Sequence, residues 1–242
     1  MLTLKTYRPG FGQPSLSPFC VKAMAMLNLA GLDWQPAYLD DPRATPHGKL
    51  PVLVDDGKTI ADSDLIRDHL QATRDIDFDT GLGPAERAAS RAMIRMAEEH
   101  LYFAIVMDRW LDPANWAVVR ETYFGAIPAL LRRVVTRYLQ KQARAGLHWH
   151  GVARFAPEER LARIAHDLDA IEDWLADRAF LFGAAPTAAD CSIGPMLAAA
   201  LATPKETALR REIGRRDAVV AYVTRVNDRL LSNLTVDCRQ AA

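Results

Sequence analysis

The chain has no excess charge, few cysteines and no long apolar run, and each of these absences removes a class of function. Of its 242 residues, 30 are Lys or Arg and 30 are Asp or Glu. A net charge of zero supplies no overall field to gather nucleic acid or an acidic membrane surface, so attraction to either would need a local patch. Three cysteines, Cys20, Cys191 and Cys238, are an odd number spread over the whole length. That spacing is no disulfide framework and favours a reducing compartment, with the cytoplasm as the expectation. The start, Met1-Leu2-Thr3-Leu4-Lys5, lacks the basic-then-apolar layout of a secretory leader, and no stretch approaches the roughly 20 apolar residues of a membrane span. The most apolar run, 193–202, is interrupted by Gly194 and Pro195 and reads as a buried core helix. Internal repeats are absent, and so are low-complexity tracts beyond alanine-rich helical stretches.

Half of the residues are hydrophobic, enough to bury a full core in one large domain or two small ones. Residues 2–7 alternate apolar and polar side chains as a half-buried strand does, and the glycines and prolines of 9–14 then force a loop. Ser17-Pro18 supplies an N-cap and a first-turn proline for a helix that ends where Gly31 takes the C′ position. A second strand over 34–39, a hairpin of 50–54 and 59–61 about Asp55-Asp56-Gly57, and a helix over 63–73 follow. Residues 1–75 therefore read as strand, helix, strand, hairpin, helix. Residues 76–84 are a linker by composition, and 85–242 read as helical, with helices expected over 85–111, 123–145, 157–176, 187–202 and 217–231. Breaks are expected at Gly146, Gly183, Pro204 and Gly214. The architecture is a small α/β domain followed by an all-α helical bundle.

The turn Ser17-Pro18-Phe19-Cys20 opening a helix, the hairpin entered through Leu50-Pro51, and the pair Asp62-Ser63 opening the next helix resemble the thioredoxin-like N-terminal domain of the glutathione transferase superfamily. The remainder is similar to that superfamily's helical C-terminal domain, and 181–190, Leu-Phe-Gly-Ala-Ala-Pro-Thr-Ala-Ala-Asp, resembles its G-x-x-P-T-x-A-D capping motif. The physics of that motif is local: Thr187 as N-cap and Asp190 at N3 satisfy the free amides of a buried helix start. Within the superfamily, residues 15–22, 48–51 and 60–63 look most like the metaxins and failed axon connections proteins. His150-Gly151-Val152-Ala153-Arg154-Phe155 is similar to a glycine-rich stretch of that branch, from which Ala153 and Phe155 depart.

The resemblance implies glutathione as co-substrate, conjugated through its thiolate to a hydrophobic electrophile. A hydroxyl at a helix N-terminus sits among unpaired amides at the positive end of the dipole, where it can donate to a thiolate, and the resemblance gives Ser17 that role. The same position also serves as a plain N-cap. Tyr7, at the end of the first strand, and Cys20, at the second cysteine position of a thioredoxin-type turn, are the alternatives. The resemblance further implies that Pro51 is cis, that Leu50 grips the cysteinyl part of the peptide through its backbone, and that Asp62 and Ser63 hold the γ-glutamyl end. Lys49 or His47 would reach the glycyl carboxylate. Two further readings stay open: a non-catalytic, metaxin-like interaction protein, and a glutathione-dependent thiol reductase working through Cys20. A two-fold homodimer is expected from the superfamily.

Other features carry less. His148 and His150 are two imidazoles with no acid or cysteine cluster to complete a metal site, so no metal is expected. Tyr102, Phe103, Arg109, Trp110 and Trp116 could line an acceptor site or belong to the core. Arg132, Arg133, Arg137 and Lys141 lie at helical spacing and read as a solvated face.

Overall fold

The computed structural model describes residues 1–234; the expected polar tail, 235–242, with Cys238 in it, lies outside the described residues. Strand β1 (Leu2–Thr6) is central, and its alternation is the observed one: Leu2, Leu4 and Thr6 are buried while the residues between are half-exposed. It pairs in parallel with β2 (Trp34–Tyr38) and antiparallel with β3 (Val52–Asp55), which turns through Asp56-Gly57 into β4 (Lys58–Ala61). The sheet order is β2-β1-β3-β4. Pro36 is tolerated in β2 because an edge strand has one row of amides with no ladder partner.

Helix α1 (Pro18–Leu29) crosses between β1 and β2, and helix α2 (Ser63–Arg74) follows the hairpin. Segment 75–83 contains no helix or strand, yet it is packed. Phe78 is buried, and the buried Asp79 carboxylate accepts from Arg67 at 2.5 Å and from Ser90 at 3.2 Å.

A long rod comes next: α3 (Pro84–Met96), a π-helical stretch over Ala97–Leu101, and α4 (Tyr102–Trp110). The helix expected over 123–145 begins only at Ala129, and a helix not expected from the pattern, α5 (Pro113–Phe124), comes before it. Asp112 caps α5 by accepting from the Asn115 N–H at 2.8 Å, with Pro113 at the first position where its missing N–H costs nothing. After Gly125–Pro128 the chain restarts as α6 (Ala129–His150). Gly146 does not break α6; an interior glycine costs about 1 kcal/mol, which a 22-residue helix absorbs. Gly151 ends it with φ 100°, a conformation side chains with a Cβ avoid. Helices α7 (Pro157–Leu175), α8 (Ala188–Leu201), α9 (Ala208–Gly214) and α10 (Asp217–Leu230) complete the bundle. Helix α9 was not expected from the pattern; at seven residues it is too short to show periodicity.

The apolar run around 193–202 is the core helix expected: every residue from Ala188 to Ala200 is buried. It packs against α1 on one side and α10 on the other. At Gly194 the approach to α10 is so close that a Cβ would stand 2.5 Å from Val226 Cγ1. One apolar core runs from Leu4 and Leu53 in the sheet through Met24 and Leu27 to Ile193, Leu197 and Tyr222. The sheet and the bundle therefore bury a common face. Asp190 extends the expected cap: its carboxylate accepts from the Thr187 N–H (2.7 Å) and hydroxyl (2.9 Å), and also from the Leu181 N–H (3.0 Å) and the Tyr222 hydroxyl (2.9 Å). One acid thus ties the entry loop, α8 and α10 together. No helix among the described residues is long and apolar enough to cross a membrane.

Candidate active site

Ser17 is the N-cap of α1 by backbone conformation, but its side chain makes no capping hydrogen bond. The hydroxyl is left available at the head of the helix. Its own N–H donates to the buried Ser15 hydroxyl at 3.3 Å, which also receives Thr6 Oγ1 at 3.1 Å. The carbonyl just before Ser17, that of Leu16, accepts from Tyr123 Oη at 2.9 Å and Arg109 Nη1 at 3.3 Å. Helices α4 and α5 thereby clamp the turn that carries Ser17. Cys20, one turn further on, is fully buried. Burial pushes its thiol up, although the neighbouring polar groups of Thr6, the Tyr7 backbone, Ser17 and Ser15 act in the opposite direction. Burial also pushes the Tyr7 phenol up, with Cys20, Tyr102 and Asp41 adding to the effect, so the phenol is a hydrogen-bond donor and not a base near neutral pH.

Opposite Ser17, the Leu50–Pro51 peptide is cis. Neither the N–H nor the C=O of Leu50 has a hydrogen-bond partner among the described residues. Pro51 C=O accepts from the Asp62 N–H at 3.2 Å and ties this loop to the start of α2. There Asp62 is the N-cap: its carboxylate accepts from the Asp64 N–H at 2.8 Å and the Leu65 N–H at 3.4 Å. Its backbone sits at φ 87°, ψ 138°, which for a residue with a Cβ costs about 1–3 kcal/mol and persists only where the surroundings impose it. Ser63, the first residue of α2, is buried, and its hydroxyl and N–H have no partner among the described residues.

A cleft of about 600 Å³ brings these groups together: Tyr7, Ser17, His47, Lys49, Leu50, Pro51, Asp62 and Ser63 all line it. Cys20 does not. His47 and Lys49 are exposed at its rim. The far wall comes from the long rod, where Arg95, Glu98 and Glu99 lead through the π-helical stretch to Tyr102 and Phe103. Single π turns within α-helices recur at functional sites because the extra residue redirects side chains. Phe19 packs edge-on against Tyr102 at 4.7 Å between ring centroids, so the wall opposite the polar end is aromatic. Arg109, Trp110 and Trp116 are not part of it. Arg109 is buried on the Leu16 and Ala199 carbonyls, and the two tryptophans pack with each other at 5.3 Å. His150 stacks on Phe103 at 4.0 Å, and no group of metal-ligating side chains occurs among the described residues.

Beneath the polar end lies a charge cluster that the sequence reading missed. Lys22 of α1, buried, donates to Asp64 at 2.6 Å and to Glu98 at 2.5 Å. Arg95 bridges the same two carboxylates, and Ser192 of α8 donates to Glu98 at 2.7 Å. Burial raises the Asp64 carboxyl, but Lys22, Arg95 and Arg91 outweigh it and hold the group below the ordinary carboxylate range. The one signal available beforehand was a lysine in an otherwise apolar stretch, Val21-Lys22-Ala23-Met24.

Comparison with known proteins bears on this arrangement directly. The family described as the glutathione S-transferase N-terminal domain matches residues 18–115, and that described as the glutathione S-transferase C-terminal domain matches residues 128–225. The chain belongs to the glutathione S-transferase superfamily. Among its relatives is isoprene-epoxide–glutathione S-transferase of Rhodococcus sp. (strain AD45), 29% identical over 238 residues that cover 93% of this chain and 98% of that one. Failed axon connections of Drosophila melanogaster is 29% identical over 73% of this chain but only 44% of its own length, and Metaxin-3 of Xenopus laevis is 26% identical over 82% of this chain and 66% of its own. Among solved structures, a glutathione S-transferase of Ceriporiopsis subvermispora in complex with glutathione superposes with a TM-score of 0.58 at 19% identity, covering 94% of this chain and 97% of that one. The expected fold, with its small α/β domain and helical bundle, is thus the fold of the superfamily.

Proposed function

We propose that this protein binds glutathione in the cleft and conjugates its thiol to a small hydrophobic electrophile. The observation that carries the reading is the convergence on one cleft of three unspent polar groups: the Ser17 hydroxyl, the main-chain pair of Leu50, and the hydroxyl and N–H of Ser63. An extended peptide pairs with a free N–H and C=O as it would with a strand edge. A carboxylate suits the open start of α2, where Ser63 offers two donors and the helix dipole is positive, and the Asp62 carboxylate suits an ammonium. Lys49 supplies a cation at the rim for a second carboxylate. Ser17 then donates to the peptide's sulfur and favours its thiolate, which attacks the acceptor carbon held against Phe19, Tyr102 and Phe103. The relationship to an enzyme named for an isoprene epoxide supports an epoxide-like acceptor, in which the C–S bond forms as a C–O bond opens and the oxygen takes up a proton.

A reductase acting through Cys20 is disfavoured by that thiol's burial and its upward shift. The interaction-protein reading draws support from the similarity to Failed axon connections and Metaxin-3. Residence in a reducing compartment and a two-fold dimer belong to the same proposal. Isothermal titration with reduced glutathione, on the parent and Ser63→Ala, separates the two readings. Saturable binding weakened by the substitution supports the cleft as a glutathione site; no binding at millimolar peptide overturns the transferase reading.

A further inference from the structure

Helix α6 carries a second apolar side that does not cover the core. A surface helix ordinarily points its apolar stripe inward. Of the 22 residues of α6 only Thr136 and Leu147 are buried. Val135 and Leu139 are half-buried and Leu147 is buried, but its other large apolar side chains point out: Leu130 is 88% exposed, Val134 66%, Tyr138 61% and Trp149 79%, with Leu131 beside them. Leu130, Val134 and Tyr138 recur every fourth residue and so form one stripe along the helix. Polar contacts also hold α6 to the body: Gln140 donates to the Trp110 carbonyl at 2.9 Å, Arg132 pairs with Glu121 at 2.6 Å, and His150 meets the Glu99 carbonyl at 3.1 Å.

The same helix carries five Lys or Arg and no Asp or Glu, in a chain whose net charge is zero. Arg133, Arg137, Lys141 and Arg144 are exposed and have no ion-pair partner among the described residues. Arg133, Arg137 and Lys141 follow the four-residue spacing of the apolar stripe and flank it. An outward apolar stripe with an unpaired basic flank has the layout of an interfacial helix, whose apolar side chains enter between headgroups while its cations meet anionic phosphates. We propose that α6 is a docking surface for an anionic lipid bilayer. Charge complementarity selects that occupant over a second copy, because α6 packed on α6 would set cations against cations with no acid between them.

The test is co-sedimentation of the full chain with phosphatidylcholine vesicles that contain either no anionic lipid or one-third phosphatidylglycerol. Partition onto the anionic vesicles should exceed that onto neutral ones by about tenfold or more, and should collapse at about 1 M salt, where the Debye length is about 3 Å. Val134→Glu with Tyr138→Glu, and separately Arg133→Glu with Arg137→Glu, should each remove most of the binding while the circular dichroism spectrum and melting temperature stay those of the parent. Absence of binding to anionic vesicles, or variants that bind as the parent does, overturns the proposal. So does a parent dimer in sedimentation velocity that Val134→Glu with Tyr138→Glu converts to monomer, since the face would then belong to a second copy.

Discussion

Replacing Lys22 with methionine should destabilise the protein far more than its loss of packing, and mainly at neutral pH. The ammonium is buried between Asp64 and Glu98, on α2 and the π-helical stretch, so its removal leaves two carboxylates in a nearly dry site. Breaking a buried ion pair by deleting one partner costs about 3–5 kcal/mol. Arg95 still touches both acids, which places the expected cost near the low end, about 3 kcal/mol out of a total stability of about 5–15 kcal/mol. For a chain of this length each kcal/mol moves the melting temperature by about 2–4 °C, so the variant should melt about 6–12 °C below the parent. The pH dependence gives the sign. Asp64 is held below its ordinary range, so its contribution is complete at neutral pH and is lost as pH falls through the acid range below about 4. The gap between parent and variant should narrow on acidification, because a protonated Asp64 no longer needs the lysine. Calorimetric melts at pH 7 and near pH 3.5 measure both effects. The combination Lys22→Met, Asp64→Asn, Glu98→Gln should recover at least half of the loss. A Lys22→Met variant within about 1 kcal/mol of the parent, or a gap that does not shrink in acid, refutes the electrostatic account.

Three further outcomes are expected. Ser17→Ala should lower glutathione-dependent turnover about 10²-fold and move the pH–rate profile to more alkaline values, with peptide affinity by titration largely kept; parental turnover would remove Ser17 from the chemistry. Asp62→Gly relieves about 1–3 kcal/mol of backbone strain while costing only a few tenths as a cap, so thermal melts should show a protein as stable as the parent or more so. Its glutathione affinity should nevertheless fall about tenfold, and a drop in stability would show that Asp62 is held for folding and not for a ligand. Gly194→Ala should cost about 1–3 kcal/mol by pushing a methyl group into Val226, and Val226→Ala in the same chain should cancel part of that; strictly additive denaturation free energies would mean that α8 and α10 do not clash there.

How much of this could be read from the chain depends on the range of the interaction concerned. The Ser17-Pro18 helix start, the Asp56-Gly57 turn and the Thr187–Asp190 cap are local chemistry between residues a few positions apart, and all three stand in the structure as the sequence suggests. The Lys22–Glu98 pair spans 76 positions and needs the π-helical stretch to bring Glu98 under α1, a register that no spacing in the sequence announces. Likewise the Leu16 carbonyl meets Tyr123 across 107 positions, and only the break between α5 and α6, hidden in a pattern that looked continuous, puts Tyr123 where it can reach.

Helices α6 and α8 show a second limit. Periodicity says that a helix has an apolar side; it carries no sign for the direction in which that side faces. Helix α8 is apolar all round and can only be buried, so its sequence is decisive. Helix α6 has an apolar stripe and a basic one, a pattern compatible with the stripe turned inward and the cations solvated, as its charges alone suggest. What settles its direction lies elsewhere in the fold. Val135, Leu139 and Leu147 take its inward side, while the Trp110, Trp116, Tyr123 and Phe124 rings of α4 and α5 pack among themselves. A helix with one apolar side already used and a second left outside keeps a surface open to another body. The cleft follows the same logic: the Leu50 main chain and Ser63 are polar groups the fold leaves without partners next to an aromatic wall, and the proposed function sets a peptide thiol and an apolar acceptor against them.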